Sequence, residues 1–238
     1  MTRYTVHTVP GSPFARSVMA MLDEKRADWR LAPMDPSSMH SDEVLLEYRV
    51  QADRALGAIS FRGVPDVRVL VFRGVPVQAM IRLPTAASDG RANLHMGGMA
   101  VGVDLASGTT THGVLRGRPT SRHPDLDCPV GGIVIPGWDG MLAIAARCYD
   151  AIPLGYLGVD LVLDAELGPL VLELNARPGL TIQLANRRGL RATMETLVAA
   201  DLAGAGIEER LALARRLATG DGTTISAGRG SAASRRRP

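Results

Sequence analysis

Apolar positions recur along this chain at two different periods, and the switches between them lay out its elements. Residues 4–9 alternate like a short strand and run into the breakers Pro10, Gly11, Ser12 and Pro13. From 14 to 25 the spacing turns helical, with Val18, Met21 and Leu22 on one face, and residues 29–31 predict a second strand. This is a β-α-β opening whose proline sits at the head of the helix, where a missing N–H costs nothing. From Val64 onward longer apolar strands take over. Residues 67–72 and 75–81 flank Arg73-Gly74, which predicts a hairpin. A Gly-, Ser- and Asp-rich connection at 86–90 leads to Arg91-Ala92-Asn93-Leu94-His95, after which 99–105 and 110–115 resume strand patterns. Helices are predicted at 138–149, 191–202 and 208–217, and strands at 156–163 and 170–174. After Ala218 the composition turns to Gly, Thr, Ser and Arg without apolar periodicity, which predicts a disordered tail.

The most informative stretch is residues 158–175. If 165–168 form a four-residue turn, Val162 faces Val171 and Asp160 faces Glu173. With side chains alternating faces, Asn175 joins Glu173 on one face while Leu161, Leu163, Leu170 and Leu172 cover the other. Like charges directly opposite one another are destabilising, and a bound cation is the natural resolution. Two carboxylates and an amide are oxygen donors, suited to Mg²⁺ or Mn²⁺ rather than zinc. The bland alternative, two solvated acids, fits poorly in a run that is apolar at nearly every other position. Next comes Asn175-Ala176-Arg177-Pro178-Gly179, a sharp turn that holds Arg177 either as a solvated loop residue or beside phosphate.

Composition narrows the partners. The chain has 238 residues, 46% of them hydrophobic, enough for one core plus an appendage. Its net charge of +3 resides in the last thirteen residues, which carry Arg229, Arg235, Arg236 and Arg237 and no acid; without those four the charge is −1. Bulk charge therefore calls for neither nucleic acid nor an anionic membrane. Cys128 and Cys148 form no disulfide framework, and neither a spanning apolar run nor a leader pattern is present, so the expected location is cytoplasmic. His112, His123, Asp125, Asp127 and Cys128 have loose, Pro-rich spacing that predicts a surface loop rather than a metal site. Among the basic residues only Lys25 is a lysine.

With Val159-Asp160, Glu173-Leu174-Asn175, Arg177-Pro178-Gly179, Asp66-Val67-Arg68 and Arg91-Ala92-Asn93-Leu94-His95 followed by Gly97-Gly98 in order, residues from about 50 to 217 resemble the ATP-grasp ligases, specifically the ribosomal-protein glutamate ligase and alpha-L-glutamate ligase-like branch. The resemblance implies an α/β (α+β) fold, an ATP-grasp C-terminal lobe of antiparallel sheet with packed helices. It places Asp66 at the nucleotide ribose. Arg91 and Asn93 would reach the ATP phosphates or adenylate-side groups, Ala92 would contribute backbone, and Asp160, Glu173 and Asn175 would hold two Mg²⁺ ions. Arg91 and Arg177 are the candidate catalytic residues, meeting the charge that develops as the γ-phosphoryl moves. The implied reaction joins a small-molecule or peptide carboxylate to an amine through an acyl phosphate. His95, a lone histidine after a loop, is left outside this set. The family's upstream lobe places lysines over the phosphates, and this chain has none there.

Residues 3–48 resemble instead the opening of a glutathione transferase, a thioredoxin-like β-α-β fragment in which Ser12 would activate a thiol. Three segments are thus expected: 1–48, an ATP-grasp domain at 49–218 lacking its N-terminal side, and a basic tail at 219–238. An inactive nucleotide- or metal-binding fragment and a glutathione transferase-like protein are the alternatives to a ligase.

Overall fold

The structure is a computed structural model, and it describes residues 49–220 together with the backbone of two earlier strands. Those strands, β1 (Arg3–Thr8) and β2 (Asp28–Pro33), pair in parallel from Arg3↔Asp28 to Thr8↔Pro33. The helix expected between them, Ser12, and the tail from 221 lie outside the described residues.

The main sheet has seven strands, all antiparallel: β3 (Asp66–Phe72), β4 (Val75–Leu83), β5 (Met99–Val103), β6 (Thr110–Leu115), β7 (Arg118–Thr120), β8 (Tyr156–Asp164) and β9 (Gly168–Asn175). Their spatial order is β7-β6-β5-β4-β3-β8-β9, so the two predicted hairpins lie side by side with β3 against β8. Arg73 and Gly74 close the first hairpin with φ of 50° and 82°, the left-handed pair that matches the natural twist of a two-residue turn.

Around the sheet lie α1 (Arg54–Gly57, a single turn), α2 (Trp138–Ala151), α3 (Thr181–Asn186), α4 (Arg191–Ala199) and α5 (Ile207–Thr219). Val67, Val69, Ile81 and Val101 are fully buried in the core, with α2 and α5 packed on their side of the sheet. On the other side α3 crosses β4, β5 and β6, where a Cβ on Gly102 would come within 2.4 Å of the Ala185 carbonyl oxygen. Helix α3 covers only that end. The described residues leave the face of β3, β8 and β9 beyond it as an open cleft.

Arginines also tie helix ends to the sheet and loops. Arg73 Nη1 donates to the carbonyls of Leu197 and Val198 at the end of α4, and Arg188 donates to those of Leu217 and Ala218 at the end of α5. Each guanidinium thus satisfies two orphan carbonyls at once.

The second hairpin departs from the expected register. Three residues, 165–167, make its turn rather than four, and Gly168 takes φ 73° at the start of β9. Asp164 Oδ1 accepts from the backbone N–H groups of Glu166 and Leu167, which locks this tight form. Leu161 consequently faces Val171, and Val162 faces Leu170 instead of Val171. A bulge at Leu172 then restores the expected Asp160↔Glu173 pair. Two opposite offsets cancel at the acids. The bulge also turns Leu172, 40% exposed, away from the core face and leaves Val171 to fill it.

Candidate functional site

Strand alternation and register together put five charged side chains in one row. Asp66 and Arg68 lie two apart on β3 and so share a face; Arg82 on β4 pairs opposite Asp66, Asp160 on β8 opposite Arg68, and Glu173 on β9 opposite Asp160. Three carboxylates and two guanidiniums cross four adjacent strands, with a net charge of −1.

Asp160 is 1% exposed and its carboxylate is fully engaged. Oδ1 accepts from Arg68 Nε at 2.6 Å, and Oδ2 accepts from Arg68 Nη2 at 2.6 Å, Arg82 Nη2 at 2.7 Å and Asn175 Nδ2 at 3.1 Å. Three of these four bonds converge on Oδ2 and one falls on Oδ1. Asp66, also buried, accepts from Arg82 Nε at 2.5 Å and Nη2 at 2.7 Å. Burial is the larger influence on its carboxyl and raises it to about 7, against the pull of Arg82. Glu173 is half-buried and has no hydrogen-bond or ion-pair partner among the described residues. Burial first, and the Asp160 charge second, hold its carboxyl above the ordinary range, while Arg68 and Arg82 draw it down.

This row floors a cavity of about 540 Å³. One wall is the loop carrying Gly90, Arg91, Ala92, Asn93 and His95; the apolar side is Val50, Val64, Val162 and the bulged Leu172. Asn93 shapes the loop it sits in: its Oδ1 accepts from His95 N at 2.9 Å and its carbonyl accepts from Met96 N and Gly98 N. The loop root is pinned from outside. His123, 1% exposed, places Nε2 at 2.8 Å from the Pro84 carbonyl oxygen, its Nδ1 accepts from Asp125 N and Leu126 N, and Asp125 Oδ2 accepts from Ala86 N. The stretch expected to be a surface loop therefore has a buried histidine as its brace, although Asp125 and Asp127 remain toward solvent.

Of the residues expected at a site, Asp66, Arg91, Ala92, Asn93 and Glu173 line this one cavity; Asp160 and Asn175 bond to each other behind it, Asp160 reaching it only through the lining residues Arg68 and Arg82. Arg177 is not brought in. A Cβ on Gly158 would lie 2.7 Å from Pro178, so the turn folds down onto β8 through its proline while Arg177 stays exposed. His95, left out of the expected set, is a lining residue. Arg68 and Arg82 carry the largest difference from expectation: the tension between opposed acids is relieved by two arginines of the chain itself. Spacing held the signal, since Arg68 follows Asp66 by two, but the partner strand of β3 was needed to read it. Among the described residues no group of three or more His, Cys, Asp or Glu side chains is placed to hold a metal ion. Oxygen donors available as the site stands are the Glu173 carboxylate and the Asn175 amide oxygen.

The family described as sugar-transfer associated ATP-grasp matches residues 26–198, from just before β2 to the end of α4. A probable alpha-L-glutamate ligase of Sodalis glossinidius (strain morsitans) is 32% identical over 139 residues, 58% of this chain and 36% of the relative. The chain thus spans about a third of the length of the curated relative it matches. Among solved structures, the ATP-grasp ligase PsnB complexed with minimal precursor is 19% identical with a TM-score of 0.32, covering 58% of this chain and 35% of that one. D-alanine–D-alanine ligase from Bacillus anthracis complexed with ATP is 15% identical with a TM-score of 0.29, covering 68% and 40%. The resemblance of residues 3–48 to glutathione transferase finds no support in these comparisons, and the family match itself begins inside that stretch, at residue 26.

Proposed function

This chain belongs to the sugar-transfer associated ATP-grasp family, and from that premise we propose that the cavity over β3, β8 and β9 binds ATP and supports the coupling of a carboxylate to an amine. The observation that carries the reading is the charged row: a free carboxylate, Glu173, beside two fixed guanidiniums at the floor of a cleft large enough for a nucleotide's phosphates. Arg91, exposed at the rim with only a 3.9 Å approach to Asp89, is placed to reach a phosphate oxygen. Backbone at Ala92 and the Asn93 side chain shape the loop beneath it. Asp66 holds Arg82 and, lining the cavity, would accept from a ribose hydroxyl. Val50 and Leu172 offer apolar cover for a base.

In the proposed reaction a substrate carboxylate oxygen bonds to the γ-phosphorus as the bond to the β-phosphate oxygen breaks, releasing ADP. An amine nitrogen then bonds to the acyl carbon, phosphate leaves with the carbon–oxygen electron pair, and the nitrogen loses a proton. Glu173, Asn175 and Asp160 would hold Mg²⁺ or Mn²⁺, which when bound neutralises phosphate charge. Glu173 and Asn175 fit that role as they stand, whereas Asp160 fits only once its arginines move. Arg177 joins the site only if its turn reorients.

A second reading, a nucleotide-binding module without turnover, is favoured by the engagement of Asp160 with two arginines of the chain itself. Equilibrium binding of ATP with Mg²⁺, followed by an assay of ADP release over panels of carboxylates and amines, separates the two. Binding with acid- and amine-stimulated ADP release supports the ligase. Binding without release supports the module, and absence of binding at millimolar ATP defeats both.

A further inference from the structure

The two ends of the Arg68–Asp160–Arg82 cluster are unequally filled. Asp160 is buried and already accepts four bonds, one at Oδ1 from Arg68 and three at Oδ2 from Arg68, Arg82 and Asn175. The guanidiniums are not saturated. Each offers five N–H donors; among the described residues Arg68 uses two of them and Arg82 three, and both line the cavity. An anion arriving in the cleft therefore finds vacant donors. A cation arriving alone finds Asp160 held by three charge-assisted bonds of 2.6, 2.6 and 2.7 Å and must displace them while approaching two positive groups. The pairing of Asp160 opposite Glu173, which in isolation would favour a bound cation, is already neutralised from within the protein.

We propose that Arg68 and Arg82 act as a latch on the cation site, keeping Asp160 closed to a divalent ion until a polyphosphate draws the guanidiniums onto itself, so that the site fills polyphosphate first and metal second. The inference rests on the reading of the cavity as a nucleotide site and adds an order of binding to it. The arginines are positioning residues here: they decide when Asp160 becomes available. Because coupling between ligands is reciprocal, a polyphosphate that opens Asp160 must also bind more tightly once the metal is present.

The test uses the full chain and two probes, Mn²⁺ alone followed by electron paramagnetic resonance of the free ion, and ATP by calorimetry in EDTA and then in Mg²⁺. The latch predicts no saturable Mn²⁺ binding to the native chain below about 1 mM, and a gain of roughly tenfold or more in Arg68→Gln that Asp160→Asn removes in the double variant. It predicts further that ATP binds the native chain in EDTA, within roughly 10- to 100-fold of its affinity in Mg²⁺. Arg68→Lys, a single point charge in place of a fork, falls between native and Arg68→Gln. Where near-UV circular dichroism shows the variants unfolded, the two native-chain arms decide. Tight Mn²⁺ binding without polyphosphate, or no gain in a folded Arg68→Gln, overturns the latch while leaving nucleotide binding in place. Failure of ATP to bind under either condition defeats the nucleotide reading instead.

Discussion

Glu173 and Asp160 differ by thirteen positions in sequence and are neighbours across two strands, yet substitution separates their roles. Glu173→Gln removes a half-buried, unpaired acid; it should leave stability within about 0.5 kcal/mol of the native chain and weaken Mg²⁺-supported ATP binding about tenfold, read by denaturant titration and calorimetry. Asp160→Asn leaves two buried guanidiniums short of a counter-charge and should cost about 3–5 kcal/mol in the same titration. Asp66 sets a pH dependence. Its carboxyl is raised by burial to about 7 from an ordinary value near 4, so between those limits the folded chain keeps a proton that the unfolded chain releases. Stability should therefore fall as pH rises from about 4 to about 7 and level above it. Asp66→Asn should remove that slope, measured as the difference in melting temperature between variant and native chain across the range. The acids were legible in the sequence because charges interrupt apolar strands; their arginine partners were not, since a row of charge across β4, β3, β8 and β9 exists only once strand order is known.

At the scale of elements, the β8–β9 hairpin shows how local turn chemistry edits register. Asp164 binds two backbone N–H groups of its own turn, which shortens the turn by one residue, and the bulge at Leu172 returns that residue before the acids meet. Gly168→Ala should cost about 1 kcal/mol because φ there is 73°. Leu161→Ala, in the core, should cost about 2–5 kcal/mol, whereas Leu172→Ala, in the cleft, should cost under about 1 kcal/mol. Reversal of the two leucines in chemical denaturation would contradict the bulged register. The long elements with clear periods, β3, β4, β8, α2 and α5, were foreseen to within a few residues. Short ones were not: α1, β7 and α3 have too few residues for a period to show, and α3 is held by tertiary contacts such as Asn186 Nδ2 to the Ala79 carbonyl.

At the largest scale, the described residues form a sheet buried on one face and, on the other, capped at one end by α3 and open at the end that carries charge. Among the described residues no helix is long and apolar enough to cross a membrane. The antiparallel sheet with packed helices that the resemblance of residues from about 50 to 217 implies is the one observed. The loop of Arg91 reaches the same cleft because His123 and Asp125 brace its root, a long-range contact that loose Pro-rich spacing gave no reason to expect. The central claim is that this cleft binds ATP through its charged row. Calorimetric titration of ATP into the full chain, native and Glu173→Gln, with and without Mg²⁺, tests it most directly. The account predicts one saturable site that Mg²⁺ tightens about tenfold in the native chain and leaves nearly unchanged in Glu173→Gln. No saturable binding at millimolar ATP, or the same tightening by Mg²⁺ in both chains, would contradict it.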